Sequence, residues 1–225
     1  MDKHIRNERG NTTIFIMGAL GIMALMFTII GSFANIFITK ERASNNAEQA
    51  SIVATGEILL GLENAIAAYD KYQFDYYSST NNLGEYYLDS ILKKLGDAKS
   101  ALSGQGYSQI EIDHLASNAV IKSNLPGLHS NLKMNVDIEL NSAIGRIHSA
   151  VENNIRENKG ELSGTIVNIF NKNKRVEVQT STNYKALKYD HLYPDDKRKL
   201  KQKGEGLKFD FLDSYGSFSR QIHFP

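Results

Sequence analysis

The chain has 225 residues, 41% of them hydrophobic, and a formal net charge of +1. That balance excludes the strongly basic face by which nucleic-acid-binding domains hold phosphate, so no nucleic-acid partner is expected. Cysteine is absent, which excludes disulfide frameworks, thiol nucleophiles and thiolate zinc sites, and leaves any folded part to be held by packing alone.

Charge is distributed unevenly. Residues 13–39 carry no Asp, Glu, Lys or Arg, whereas the rest of the chain is polar and rich in Asn, Ser, Lys and Tyr. A helix from Thr13 to Thr39 would be about 40 Å long, enough to cross a hydrocarbon core of about 30 Å. A secretory signal has an apolar stretch of only about 7–15 residues followed by a small-residue cleavage site, so the length predicts an anchor that stays. Lys3, Arg6 and Arg9 precede the run and Lys40 and Arg42 follow it. The positive-inside rule then favours a cytoplasmic N-terminus and a cytoplasmic membrane location, with the following domain outside.

Within this run Gly18, Gly21, Ala24, Thr28, Gly31, Ser32 and Asn35 recur at steps of three or four, and Ile, Leu, Met and Phe occupy the other faces. Helices in lipid associate through close backbone approach past small residues and through hydrogen bonds from Thr, Ser and Asn, so the stripe predicts a helix-packing face. Beyond Arg42 the pattern stays helical: Ile52, Leu59, Leu62, Ile66 and Tyr69 share one side, and no proline intervenes before about residue 70. Gly56 and Gly61 either weaken this helix or mark close contact with the remainder.

Arg9-Gly10-Asn11, the apolar span, Lys40 and then RASNNAEQASIVA resemble the N-terminal module of the TadE/TadG-like proteins of Flp (tight-adherence) pilus assembly. Asn45, Ala47, Glu48, Ala50 and Ala54 stand where that family has its Asn, Ala and acidic positions. The likeness covers about residues 8–55, a quarter of the chain. Where family members carry a late Asp and a Gly-Arg pair, this chain has Ser32, Ala34 and Asn35. Where the peptidase-cleaved pseudopilin branch has a Glu five residues after the glycine, it has Phe15. The resemblance therefore implies the uncleaved TadG-like branch, with Gly10 starting the helix. It further implies a structural or accessory component of a pilus or secretion assembly, whose partners are other membrane or pilus-assembly subunits and the lipid bilayer, with no catalysis and no cofactor.

The remaining chain reads as α+β. STNNLGEYY is a turn-rich break, after which Leu88, Ile91, Leu92, Leu95, Ala98 and Leu102 trace the buried side of one helix. Ser108 and Glu111 have capping-box spacing at the start of another, and Pro126 fixes a loop. Leu132, Met134, Val136, Ile138 and Leu140 alternate as in a strand, predicting β structure over 132–139. Leu140, Ile144, Ile147, Val151 and Ile155 predict a helix from about 141 that ends near Gly160. Two β-rich runs around Asn171–Lys174 predict a hairpin, with Val176, Val178, Thr180, Thr182 and Tyr184 on one face, and the tail GLKFDFLDSYGSFSRQIHF predicts a further antiparallel pair. The expected organisation is a short N-terminus at 1–12, a transmembrane helix at 13–39, an extended helix or stalk at 40–72 and an extracytoplasmic α+β domain at 73–225.

Signatures of nucleotide binding, zinc proteolysis and serine hydrolysis are absent from the sequence. His191 lies near Asp190, Asp195 and Asp196, but the adjacent lysines mark a solvated loop rather than a metal site. The run DDKRKLKQKGEG carries Lys197, Arg198, Lys199, Lys201 and Lys203; it reads as a solvated loop, or as a contact for anionic lipid headgroups or wall polymers. Tyrosines 69, 72, 76, 77, 86 and 87 offer an interface or ordinary packing. The rival to the assembly role is a membrane-tethered binding or sensor module.

Overall fold

The computed structural model describes residues 9–125, 129–183 and 199–225. Its first element, α1 (Arg9–Ser79), is one unbroken helix of 71 residues, about 105 Å long at 1.5 Å per residue. Its two parts have opposite surroundings. The apolar part is uncovered, with Ile14, Phe15 and Phe27 all more than 70% exposed. It is the single candidate membrane span among the described residues. From Ala43 onward the same helix enters a hydrophobic core, where Ala43, Ala47, Ala50, Ala54, Ile58, Leu62, Ala65 and Ile66 have no exposed surface.

Residues 43–70, expected to form a stalk, are thus the spine on which the domain is built. The helix also runs past the expected end near residue 72. The sequence to Ser79 holds no Gly or Pro, and the helix stops only where Asn81 adopts φ +60°. There the Asn82 N–H reaches back to the Tyr77 carbonyl and the Asn81 N–H to that of Ser78, satisfying the last carbonyls.

Two short helices, α2 (Leu83–Asp89) and α3 (Ile91–Leu102), replace the single helix expected over 88–102. Ser90 breaks the run: its backbone leaves helical angles and its hydroxyl accepts from the Lys93 N–H as the N-cap of α3. Leu88 consequently falls on α2 and is 80% exposed, while Ile91 and Leu95 are buried as expected. Next, α4 (Gln109–Asn124) begins with the capping box expected of Ser108 and Glu111. Lys99 of α3 bridges Glu63 of α1 at 2.5 Å and Asp113 of α4 at 2.9 Å, tying three helices together.

The strand expected over 132–139 is helical and belongs to α5 (His129–Glu157). Leu132, Val136 and Leu140 are fully buried and continue through Ala143, Ile147, Val151 and Ile155, whereas Met134 and Ile138 are more than half exposed. The apparent alternation came from apolar residues on the solvent side of a helix. Along its length α5 packs on α1. Gly61 permits the approach, since a Cβ there would stand 3.2 Å from an Arg146 nitrogen and 3.3 Å from the Glu139 carbonyl.

The expected hairpin is present as β1 (Glu161–Ile169) and β2 (Arg175–Asn183), antiparallel, with Val167 opposite Val178. The tail supplies β3 (Lys199–Lys208), the four-residue helix α6 (Leu212–Tyr215) and β4 (Arg220–His223). These last strands do not pair with each other as expected. They flank opposite edges of a four-stranded antiparallel sheet in the order β3-β2-β1-β4. Buried Phe209 and Phe211 hold the chain between them in an aromatic cluster with Phe170 and Tyr215.

One face of the sheet lies on α1 and the other carries polar side chains such as Asn168, Glu177 and Lys203. Helix and sheet meet at β3. A Cβ on Gly204 would overlap the Ala47 carbonyl and the Glu48 nitrogen, and one on Gly206 would overlap the Thr55 hydroxyl. Glycines on the strand and alanines on the helix therefore allow backbone-to-backbone contact. The part of the basic run from Lys199 onward is thus a paired strand, not a loop; Lys197 and Arg198 lie outside the described residues.

Candidate functional site

The foot of the domain, where α1 changes from uncovered to core-packed, is formed by three chain segments. The first is α1 itself from Asn35 to Gln49. The second is the end of α5. Lys159 takes φ +56° there, the Gly160 N–H bonds the Ile155 carbonyl at 2.8 Å and the Lys159 N–H bonds that of Arg156 at 3.0 Å. That pattern is a Schellman cap, with lysine in the left-handed position usually given to glycine. Gly160 then packs on α1, since a Cβ on it would come within 2.7 Å of the Asn46 amide nitrogen. Beside it Asn158 donates to the Gln49 side-chain oxygen at 2.8 Å. The third segment is the end of β2, where Asn183 donates to Glu161.

These segments enclose a cavity of about 630 Å³. From α1 it is lined by Asn35, Thr39, Arg42, Asn45, Asn46 and Gln49; Asn158, Lys159, Thr182 and Asn183 form the opposite wall. Among the described residues every lining residue is polar, two are cations and none is a carboxylate. Among the described residues Arg42 and Lys159 form no ion pair. Asn46 is only 6% exposed, yet its amide makes no hydrogen bond among the described residues. The hydroxyl of Thr182 is also buried without a partner. Buried polar groups normally find partners, so an amide, a hydroxyl and two cations with unspent bonding capacity around one cavity form a polar receptor, best matched to an anion.

A second surface lies at the other end of the domain. Tyr72, Tyr76 and Tyr87 are more than half exposed and continue into the edge-to-face pairs Phe74–Tyr86 and Tyr86–Tyr87, each 5.3 Å between ring centres. Asp70, 2% exposed, fixes this tip. It accepts from the Tyr86 and Ser90 hydroxyls and from the Ile91 and Leu92 N–H groups at the start of α3. The hydrogen bond to Asp70 raises the Tyr86 pKa.

The residues singled out from sequence scatter over three regions. Gly18 and Gly21 have nothing within 4 Å, and Ala24 and Thr28 are exposed with them on the uncovered half of α1. Thr28 donates to the Ala24 carbonyl and Ser32 to that of Thr28, so both hydroxyls are satisfied within their own helix. Gly31 and Ser32 are half-buried, and Asn35, half-buried too, reaches the cavity. Of the motif positions, Asn45 lines the cavity, Ala47 is buried under β3 and Glu48 is exposed; Arg9 and Gly10 lie in the first turn of α1.

Of the basic run, Lys203 is paired with Glu177 at 2.9 Å, a bond that lowers the Glu177 pKa. Lys201 and Lys199 stand opposite Ser181 and Asn183 in the sheet register. Asn46, Asn158, Lys159 and Thr182 were not anticipated, because only the packing of α5 and β2 on α1 brings them together. The legible hint was the pair Asn45-Asn46 inside an alanine-rich helix.

The fold and this foot define a chain with one candidate N-terminal membrane span continuous with an α+β domain. No family model, curated protein or solved structure matches it.

Proposed function

We propose that the chain is a membrane-anchored, non-catalytic subunit that serves an envelope assembly by packing its anchor against other helices and presenting its domain to partner subunits. With the TadE/TadG-like features of residues 8–55, the assembly is a Flp-type pilus or related secretion machine. The N-terminus is then cytoplasmic and the domain lies outside. The observation that carries this reading is the unbroken α1. A helix that is both uncovered apolar segment and core spine joins the two without a linker, which suits a part that transmits position and force. The exposed tyrosines at the far tip give the domain a surface of the composition favoured in protein interfaces.

Single cysteines test the anchor, because the native chain has none. Cysteines at Gly21 and Thr28 should yield partner adducts, and cysteines at Met26 and Ile30 on the opposite face should not. Equal yields at all four positions overturn the packing role. Protease added to intact spheroplasts should digest the domain; protection there overturns the topology. The polar cavity favours a second reading, a tethered binding module.

A further inference from the structure

We propose that the cavity at the foot of the domain binds the phosphate-bearing headgroup of an anionic membrane lipid, an inference that rests on residues 13–39 spanning the bilayer. Chemistry sets the class of ligand. Among the described residues the cavity offers amide N–H donors and two cations outside any ion pair, and no carboxylate lines it, which is the donor set that phosphate oxygens require. Asn46 supplies the independent pointer. Asn46 is 6% exposed as a residue, lines the cavity and makes no side-chain hydrogen bond among the described residues, so its amide has donor capacity to offer a ligand there.

Position selects a lipid over a soluble anion. Asn35 and Thr39 lie in the last turns of the uncharged span and form the lower rim, while Arg42, the second cation past the span, stands one turn above. Polar groups immediately beyond an apolar span sit at headgroup depth, and basic pockets beside membrane helices hold lipid headgroups. Below the rim, the uncharged and uncovered span of α1 gives the acyl chains an apolar surface to follow. The volume, about 630 Å³, falls within the range of small-molecule sites.

The test uses the full chain in a neutral detergent, with native mass spectrometry and thermal unfolding as readouts. Phosphatidylglycerol should form a one-to-one adduct and raise the unfolding midpoint, and phosphatidylcholine and soluble glycerol 3-phosphate should do neither. Arg42→Gln, Asn46→Ala and Lys159→Gly should each weaken the adduct by about tenfold, the scale of one lost charge-assisted bond. The last two separate binding from folding. Glycine suits the left-handed backbone of position 159, and alanine at 46 breaks no hydrogen bond among the described residues and favours the helix in which it lies, so both variants should unfold no lower than the parent in the absence of lipid.

Equal binding of phosphatidylcholine, or undiminished adducts in all three variants, overturns the proposal. Saturation by glycerol 3-phosphate at the same concentration as the lipid overturns the lipid as the ligand. Alkaline carbonate extraction of membranes is run in parallel. A chain released by carbonate overturns the spanning reading and this inference together, whereas a chain retained in the membrane without phosphatidylglycerol adducts overturns the inference alone.

Discussion

Asp70 is the residue on which the tip of the domain most depends. Its carboxylate serves two hydroxyls and two backbone N–H groups, and the latter open α3, where the helix dipole favours a negative charge. Replacing it with alanine strands buried donors, each worth about 1–3 kcal/mol, so Asp70→Ala should cost about 2–4 kcal/mol in denaturant unfolding. Asp70→Asn, which keeps an acceptor oxygen for the N–H groups, should cost less.

His114 gives a pH signature. It is 6% exposed, edge-on to Phe209 at 5.1 Å and within 3.2 Å of the Asn118 amide, and burial pushes its pKa below 6.5. The unfolded chain therefore binds a proton more readily than the folded one. Stability from the neutral ring is complete above the unfolded value and is lost as pH falls through the folded one. Unfolding free energy should rise between pH 5 and pH 7, and His114→Gln should flatten that rise; an unchanged slope removes His114 as its source. Neither residue was legible beforehand. Asp70 sits in an ordinary amphipathic stretch and His114 is one of six scattered histidines, and both acquire their roles from partners distant in sequence.

At the scale of elements, small residues decide where α1 meets the sheet. Ala47, Ala50 and Ala54 stood out only as positions of the family resemblance, and the reason for their burial lies in Gly204 and Gly206 on β3. Alanine at Gly204 should cost about 1–3 kcal/mol through overpacking, because the atoms it meets are helix backbone and cannot rotate away. The matching change at Gly56, which has nothing within 4 Å, should stabilise by up to about 1 kcal/mol through helix propensity. A denaturation series on both variants checks the contrast.

The long helices and the hairpin could be read from periodicity because each buries one regular face. The edge strands were legible only in part: the tail predicts strands, and β4 is one, but not their placement at opposite edges of the sheet. β3 lies within a lysine run whose inward positions are Gly204 and Gly206, so it offers no apolar alternation, and its strand character comes from pairing with β2. Residues 132–139 misled for the opposite reason: exposed Met134 and Ile138 completed a period of two over a true period near 3.6.

For the whole molecule the decisive property is helical phase. At about 100° per residue, Gly18, Gly21, Ala24, Thr28, Gly31, Ser32 and Asn35 fall within an arc of about 140°, and the same arc carries Asn46 into the cavity. The small-residue stripe therefore points to the side of α1 on which the domain sits, and a partner helix packed on it would lie directly beneath the domain. Because α1 is unbroken from Arg9 to Ser79, its apolar half and the domain are joined in one helical phase. Inserting two alanines between Thr39 and Lys40 turns the stripe by about 200° relative to the domain, whereas inserting seven returns it to within about 20° at the cost of about 10 Å of height. Adduct yield from a cysteine at Gly21 should fall with the two-residue insertion and recover with seven. A flexible tether would give the same yield in all three chains, and that result would show that the anchor packs without regard to the domain above it.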